Sequence, residues 1–465
     1  MSCRWLVFAT AALAAGCAPL GPRPAPSATV NPVALAGVSA ATPAPAVPDR
    51  WWQAFQDPQL DALIDEALAH SPTLEAARAR VESAAALARG ARAGRLPSTE
   101  VAASVERQRL SAKGLYPPPY GGSTLNLGQV GVDLSYEVDL FGRVSAQVAS
   151  ADATAAAAVN DLAAARLALA ASVARSYLKL GRNHELQATL EAAAARRRDL
   201  LSLTEQRRAA GLDTELEVEQ ARAAVASADA DLAAAAEDRA LVGNELAALL
   251  GAGPARGAEF TQPAFTVPVA IELPDTLPAD LVARRPDIVA ERARVEGARA
   301  DVKAAEAEFY PNINLAAFAG FQSIELGSLI GSGTRQWNAG PALSLPLFFT
   351  GKLKGQLGAR DAAYAAAVAR YNGTVIDAFH EVADAVASLK HVEVERAAST
   401  QAIAALDRAY ELARIRYRAG LTNYLTVLIA EESLLAQRRV EVDLDARRAD
   451  LAVALFRALG GGFSA

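Results

Sequence analysis

Residues 78–82 read Arg-Ala-Arg-Val-Glu, and residues 292–296 read Arg-Ala-Arg-Val-Glu again. The glycines and prolines around this stretch repeat too. At an offset of 214 the matches are Pro72 with Pro286 and Pro97 with Pro311; at 209 they are Leu134 with Leu343, Gly142 with Gly351, Gly211 with Gly420, Leu212 with Leu421, Arg239 with Arg448 and Gly251 with Gly460. Because glycine and proline set backbone turns, this agreement indicates a duplicated unit with one five-residue length change.

The composition argues against an ordinary globular protein. A chain of 465 residues would usually suggest two or three globular domains. Aromatic residues make up only 6%, while alanine, leucine, arginine and glutamate dominate, which is typical of long helices packed through small side chains. The net charge of −6, with both signs interleaved, gives no basic footprint for nucleic acid.

The N-terminus predicts export and a lipid anchor. Arg4 precedes an apolar run, and small residues then lead into Cys17, which resembles a bacterial lipoprotein cleavage site. The resemblance implies a signal peptide over residues 1–16, a lipid on Cys17 as the only attached group, and sorting to the outer membrane. The alternative is that Cys17 belongs to a leader that is simply removed. Residues 17–48, rich in Pro, Ala and Ser, predict an extended tether.

Two very long helical hairpins are predicted, one in each repeat. The first helix runs from Gly142 to Ala210 without proline, and at 1.5 Å per residue it is about 100 Å long. Gly211 ends it, and Asp213 or Thr214 caps a return helix to Leu250. The second repeat has a helix over 352–419, a break at Gly420, a cap at Thr422 or Asn423, and a helix to Leu459. No segment predicts a transmembrane helix, because none offers about 20 uninterrupted apolar residues.

Four strands are predicted between the helices. Repeat one, residues 49–251, has strands at 99–109 and 126–138; repeat two, residues 281–465, has strands at 312–322 and 337–347, and residues 252–280 link the repeats. Each strand alternates apolar and polar residues and is near the length of about 9–11 residues that crosses a bilayer. The predicted lumen-facing polar residues are Gln129, Asp133, Ser135, Asn338 and Ser344, with Tyr136 and Trp337 outward in an interfacial aromatic girdle.

Four strands cannot close a barrel by themselves. An open sheet edge in lipid leaves backbone hydrogen-bonding groups unsatisfied, at several kcal/mol each. Strands in a membrane therefore require several chains, and three chains with twelve strands are the smallest set with a wide enough interior. The predicted class is an α+β membrane protein, a homotrimeric 12-stranded barrel continued by a long helical barrel. The alternative is a small soluble β-domain capping a helical bundle.

Several motifs resemble a known family in the right order along the chain. They are Trp51–Phe55 with Asp57–Asp61, Tyr136–Arg143, Arg284–Ile288, Phe309–Ile313 and Tyr417–Leu421. These resemble the TolC-like outer-membrane factors, in the NodT-type lipoprotein branch of tripartite efflux systems. The resemblance implies a homotrimer in the outer membrane that reaches into the periplasm. It also implies an equatorial belt formed by the N-terminal segment, the region 251–280 and the C-terminus. A periplasmic adaptor and a proton-driven RND-type inner-membrane pump would dock at the helix tips.

Two sets of site residues follow, and both concern the tips. The repeated Arg-x-x-Ala-Gly-Leu frame predicts docking positions at Arg207, Gly211, Leu212, Asp213, Arg416, Gly420, Leu421 and Asn423. Relatives often carry an aspartate just past the second tip, where this chain has Ile429. The gate candidates are therefore Ile429, Glu431, Glu432 and Glu219, either as rings of charge or, at Ile429, as an apolar constriction. The alternatives are a plain helix-ending glycine at each tip and solvated charges on an exposed helix face.

No catalytic or metal-binding constellation is found, since the four histidines have no ligand spacing. The leading hypothesis is a passive exit duct for small toxic compounds, powered by partner proteins. A second hypothesis is the outer-membrane component of a type I protein secretion system. A third, a lipoprotein scaffold that only tethers envelope layers, does not account for membrane-length strands. An enzyme is the weakest interpretation.

Overall fold

The computed structural model describes residues 28–29, 48–268, 284–345 and 350–463. The signal peptide, Cys17, nearly all of the tether, residues 269–280 of the linker and residues 346–347 of the last predicted strand lie outside the described residues. The chain divides into two compact units. The sheet unit comprises residues 80–159 and 290–371, and the hairpin unit comprises residues 48–79, 160–289 and 372–465.

The sheet unit contains one four-stranded antiparallel sheet in the order β1-β2-β3-β4. The strands are β1, Ser98–Arg109; β2, Thr124–Val138; β3, Asn312–Ser323; and β4, Arg335–Ser344. All four predicted strands are confirmed, with bounds that differ by a few residues. Pro341, which has no N–H for the sheet, lies in the edge strand β4, where proline is tolerated.

The register places the apolar residues on one face and the polar residues on the other. Val132 lies between Val101 and Ala319, and Tyr136 pairs with Leu315 on the same face. On the opposite face Glu100 pairs with Asp133, and Glu137 pairs with Asn314. The alternation inferred from the sequence is therefore the alternation of the sheet.

One aromatic residue departs from this division. Phe318 belongs to the polar face but is only 6% exposed. A Cβ added at Gly131 would lie 2.5 Å from its ring, so the ring rests on the glycine. A Cβ added at Gly320, which pairs with Gly131, would lie 2.8 Å from the same ring. The two glycines leave room for an aromatic side chain flat against the sheet.

Helices enter and leave the sheet at the same end. The helices that precede strands are α2, Pro72–Ala93, and α5, Pro286–Ala307; those that follow strands are α3, Arg143–Ala209, and α6, Thr350–Arg418. The carboxylate of Asp139 caps α3, because it accepts hydrogen bonds from the backbone N–H groups of Val144 (3.0 Å) and Ser145 (2.8 Å).

The hairpin unit contains α3 from residue 160 onward and α6 from residue 372 onward. It also contains their return helices α4, Glu215–Leu249, and α7, Tyr424–Ala458. Two ion pairs join α3 to α7, Arg175 to Asp450 at 2.9 Å and Arg182 to Asp443 at 2.6 Å. The arginines are seven residues apart on α3, and the aspartates are seven residues apart on α7 in the opposite order. The two helices are therefore antiparallel, and their contacts repeat with a heptad spacing. The predicted long hairpins are confirmed.

An aromatic core closes one end of the hairpin unit around α1, Pro58–His70. Trp51 and Phe55 are fully buried, and Trp51 stacks on Phe456 with ring centroids 5.4 Å apart. Buried Asp57 accepts hydrogen bonds from the Tyr177 hydroxyl (2.7 Å) and from the backbone N–H of Ala264 (3.0 Å). Asp57 thus fixes the described part of the predicted linker against the N-terminal motif.

One helix of the described residues, α3, is apolar and long enough to cross a membrane by composition alone. The sequence analysis predicts no such helix. The difference arises because α3 is rich in alanine, which counts as apolar but is small enough for helix–helix contacts. Length and apolar composition are shared by membrane spans and by long packed helices, so these features alone do not make α3 a membrane span.

Candidate functional site

The first helix tip is a glycine turn followed by a capped helix. Gly211 has a φ of 73°, the left-handed conformation that ends a helix, and the N–H of Leu212 donates to the carbonyl oxygen of Arg207 at 2.9 Å. Thr214 caps α4 through a hydrogen bond from the N–H of Leu216 (3.2 Å). Glu217 completes a capping box.

The second tip repeats this backbone geometry. Gly420 has a φ of 74°, and the N–H of Leu421 donates to the carbonyl oxygen of Arg416 at 2.8 Å. Asn423 caps α7 by accepting a hydrogen bond from the N–H of Thr426 at 3.2 Å. The repeated frame in the sequence therefore corresponds to a repeated turn.

A buried polar cluster, the tip latch, joins the two tips within one chain. It consists of Arg207 and Asp213 from the first tip and Tyr417 from the second. The Arg207 guanidinium donates to Asp213 at 2.9 Å and to the Tyr417 carbonyl oxygen at 2.8 Å, and it lies 4.5 Å from the centre of the Tyr417 ring. The Tyr417 hydroxyl donates to the Asp213 carboxylate at 2.5 Å. Each latch residue thus contacts both others, so the tips are held together by one connected network.

The latch changes the protonation behaviour of its members. Burial opposes ionisation of Asp213, but hydrogen bonds from Arg207 and Tyr417 outweigh it, and the pKa of Asp213 is lowered from its ordinary 3.8. Burial, with the hydrogen bond to Asp213, raises the pKa of Tyr417 to about 12. At neutral pH the latch therefore contains an ionised carboxylate and a neutral phenol.

The corresponding arginines of the two tips have different surroundings. The Arg207 side chain is 10% exposed within the latch. Its repeat partner Arg416 is exposed, and in the part of the chain that the structure describes its side chain has no ion pair or hydrogen bond. The position that corresponds to Asp213 in the second repeat is Thr422, which carries no charge. Arg207 is thus a structural residue of the latch, whereas Arg416 presents its charge to solvent.

Both tips expose leucines to solvent. Leu212 is 64% exposed, Leu216 63%, Leu421 68% and Leu425 50%. Each tip therefore exposes one leucine in its turn, Leu212 or Leu421, and one in the first turn of the helix that follows, Leu216 or Leu425. The role of these leucines in docking a partner stays a prediction.

The four gate candidates have different surroundings. Ile429 is 55% exposed, one turn beyond Leu425, and Glu432 is exposed. Glu219 is exposed and pairs with Arg222 at 2.7 Å. These three side chains are exposed in the single chain, and their gate role stays a prediction.

Glu431 requires a correction. Its side chain is 1% exposed and binds Arg197 of α3 at 3.1 Å. Arg197 also donates to the carbonyl oxygen of Ala224 at 3.1 Å. A carboxylate that is buried and paired within its own chain presents no charge to a passage, so Glu431 fastens the two hairpins together and does not belong to a ring of free charges.

Comparison with known proteins identifies the family. A sequence profile described as outer membrane efflux protein matches residues 63–252 and 277–461. The fusaric acid resistance protein FusA of Burkholderia cepacia is 36% identical over 363 residues, which are 77% of this chain and 68% of FusA. The multidrug resistance outer membrane protein MdtP of Escherichia coli is 31% identical over 90% of this chain and 87% of MdtP. The chain belongs to the outer membrane efflux protein family.

A solved structure of this family has the same fold. The outer membrane protein VceC of Vibrio cholerae is 40% identical, with a TM-score of 0.84 over 90% of this chain and 100% of VceC. The predicted fold class is confirmed: the outer membrane efflux proteins are TolC-like trimeric barrel channels, and the described residues of this chain form four strands and two long helical hairpins. It is an outer-membrane protein, and its role is that of an efflux channel.

Tyr417 and Arg197 of this efflux protein are site residues that the sequence does not predict. Tyr417 lies in the family motif Tyr417–Leu421, but the corresponding residue of the first repeat is Arg208, so the repeat gives no signal for it. Arg197 is one of several arginines on a long helix, and the sequence does not distinguish it from those that are solvated. The signal in the sequence that marks Tyr417 is an aromatic residue shortly before the tip glycine in one repeat only.

Proposed function

We propose that three copies of this chain form a passive exit duct for drugs or other small toxic compounds. In this proposal an inner-membrane, proton-driven RND-type pump supplies the energy, and a periplasmic adaptor joins the pump to the helix tips. The names of FusA and MdtP attach fusaric acid resistance and multidrug resistance to relatives of this chain. The observation that supports the proposal is that both edge strands of the sheet lack a partner strand, although the strands are long enough to cross a membrane.

Those edges are β1 and β4, because the strand order is β1-β2-β3-β4. All twelve residues of β1 are exposed in the single chain, and Trp337 on β4 is 79% exposed. A sheet edge in hydrocarbon needs a partner strand for its backbone groups. Pairing of β4 with β1 of the next copy satisfies both edges in a closed ring.

The tips support the docking of an adaptor. They combine exposed leucines with the free charge of Arg416, and a surface of this kind suits a partner with an apolar face and a carboxylate. The docking set carried over from the sequence divides accordingly. Leu212, Leu421 and Arg416 form the surface, while Gly211, Gly420 and Asn423 shape the turns that present it.

Gly420→Pro tests the docking role. Proline fixes φ near −65°, which is incompatible with the φ of 74° at Gly420, so the variant distorts the second tip. We expect export by cells that depend on this channel to be lost while heat-stable trimers still form in the outer membrane. Gly358→Pro is unsuitable as a control because it breaks α6; Gly327→Ala, in open space between β3 and β4, is the matched glycine control. Export by Gly420→Pro at the level of the unaltered chain would contradict the docking role.

A type I protein secretion component is the second candidate function, because the resemblance to the TolC-like factors implies that the same fold serves that task. The two functions are distinguished by expressing this chain in place of the native outer-membrane channel, once in a strain with an RND-type pump and once in a strain with a peptide-exporting ABC transporter. We expect restored drug resistance with an RND-type pump and no restored peptide secretion.

We also propose that Cys17 carries the lipid and that residues 17–48 tether it to the folded body. The support is the lipoprotein-like cleavage site in the sequence. Mass spectrometry of the N-terminal peptide tests this: a diacylglycerol on Cys17 is expected, and an unmodified mature N-terminus elsewhere would contradict it.

A further inference from the structure

The charged residues of the four described strands are divided between the two faces of the sheet. Those on the polar face are all carboxylates: Glu100, Glu106, Asp133 and Glu137. Those on the apolar face are all arginines: Arg107, Arg109 and Arg335. The apolar face of a membrane barrel is directed toward lipid, where charges are unfavourable unless they lie near the bilayer surface. The three arginines on this face therefore need an explanation.

The register fixes these arginines on the apolar face. The two arginines of β1 lie an even number of residues after Val101, so their side chains project from the same face as Val101. Arg335 of β4 pairs with Phe321, and Phe321 pairs with Val130. Directly opposed residues of neighbouring strands share a face, so Arg335 also projects from the apolar face.

All three arginines lie at the end of the sheet that is far from the helices. β1 follows α2 and ends at Arg109, whereas β4 begins at Arg335 after the loop from β3. The helical end extends into the periplasm, so this far end lies at the outer leaflet. Trp337, on the same face of β4 and 79% exposed, is typical of the aromatic girdle at the border of the hydrocarbon. Arg335 is about 7 Å beyond Trp337 along the strand, at the level of the headgroups.

The protein does not compensate the charges of these arginines. Each of the three is exposed, and none has an ion pair or a side-chain hydrogen bond among the described residues. Glu106 is next to Arg107 in the sequence, but its side chain projects from the opposite face. Arg107 and Arg109 share a face of one strand and repel each other. An anion bound between them would remove this repulsion.

The proposed assembly brings the arginines of two copies together. When β4 of one copy pairs with β1 of the next, the first residue of β4 and the last residue of β1 lie at the same rim of the barrel. Paired strands are about 4.8 Å apart. The outer end of this boundary, the seam, therefore carries Arg335 from one copy and both β1 arginines from the next. Three positive charges at one seam suit a headgroup with more than one phosphate.

We propose that Arg107, Arg109 and Arg335 bind an outer-leaflet lipid whose headgroup carries two phosphate groups. The inference rests on the pairing of β4 with β1 in the proposed function. A guanidinium group binds a phosphate through two parallel hydrogen bonds. The apolar stem of each arginine lies along the sheet while its charged end reaches the headgroup. Lipid bound in this way bridges two copies at each seam.

The test is native mass spectrometry of the delipidated, full-length trimer in detergent, titrated with lipid A that carries two phosphates. We expect saturation at three lipids per trimer, one for each seam, and weaker binding of lipid A with a single phosphate. An arginine near a charged membrane surface contributes about fivefold to binding. Arg107→Gln or Arg335→Gln should therefore weaken binding about fivefold, and Arg107→Gln/Arg335→Gln about 25-fold.

Two matched controls separate a site from general charge attraction. Arg95→Gln removes an exposed arginine from the helix-side end, three residues before β1. Glu106→Gln changes the charge next to Arg107, but on the polar face. Both control variants should bind lipid A with the affinity of the unaltered chain. Heat-stable trimers of every variant confirm that the barrel forms.

Three results would overturn the proposal. The first is equal weakening by Arg95→Gln and Arg107→Gln, or tighter binding by Glu106→Gln, because net charge would then govern the affinity. The second is equal affinity for dioctanoyl phosphatidylglycerol, which carries one phosphate. The third is displacement of lipid A by inorganic phosphate at the concentration of the lipid. Trimers that bind no lipid A would contradict this inference alone, whereas a spectrum without trimers would contradict the shared barrel of the proposed function.

Discussion

Loss of one hydroxyl at the tip latch should open the channel. In Tyr417→Phe the ring remains, but the hydrogen bond of 2.5 Å to the Asp213 carboxylate is removed. A hydrogen bond to a charged group contributes about 1.5–3 kcal/mol. If the two hairpins separate when the channel opens, that loss raises the ratio of open to closed channels about tenfold to hundredfold.

Single-channel recording in planar bilayers measures this ratio directly. The matched control is Tyr424→Phe, because Tyr424 is 1% exposed, packs edge-on against Tyr417, and has no hydrogen bond from its hydroxyl among the described contacts. We expect frequent openings of Tyr417→Phe and the closed behaviour of the unaltered chain for Tyr424→Phe. Equal open fractions for the two variants, in trimers of equal heat stability, would refute the role of the latch.

Three further predictions concern acidity and packing. The pKa of Asp213 in the closed tips is lowered from its ordinary 3.8, so the ionised carboxylate stabilises the closed tips fully above pH 3.8. This stabilisation is lost as the pH falls through the lower folded pKa. Acid should therefore open the channel only below about pH 3.8, and single-channel recordings of Asp213→Asn should show no such acid opening. Gly131→Ala should lower the dissociation temperature of the trimer on a gel, because its Cβ meets the Phe318 ring at 2.5 Å, and Gly131→Ala/Phe318→Ala should recover part of the loss. Arg197→Met should destabilise the hairpin unit by about 3–5 kcal/mol in thermal unfolding followed by circular dichroism, whereas Arg197→Met/Glu431→Leu should be close to the unaltered chain; equal instability of the single and double variants would show that the pair is not the cause.

The backbone plan could be predicted from the sequence because its signals are local. Gly211 and Gly420 end the long helices where expected, and Thr214 and Asn423 are among the caps that were named. The alternation of apolar and polar residues along β2 predicts the two faces of the sheet, because successive side chains of a strand point to opposite faces. Such features need no knowledge of what packs against them.

The contacts between the repeats could not be predicted in the same way. Glu431 and Glu432 are neighbours in the sequence, yet one is buried against Arg197 and the other is exposed. The difference is a rotation of about 100° around α7, and only its packing against α3 decides which residue turns inward. The repeat also suggested equal roles for Arg207 and Arg416, although the carboxylate that engages Arg207 has no counterpart at Thr422.

The most direct test of the shared barrel is the number of chains in the assembly extracted from the outer membrane. Four strands with two unpaired edges per chain predict that native mass spectrometry in detergent finds three chains and no folded monomer. A stable monomer that stays in solution without detergent would contradict the account.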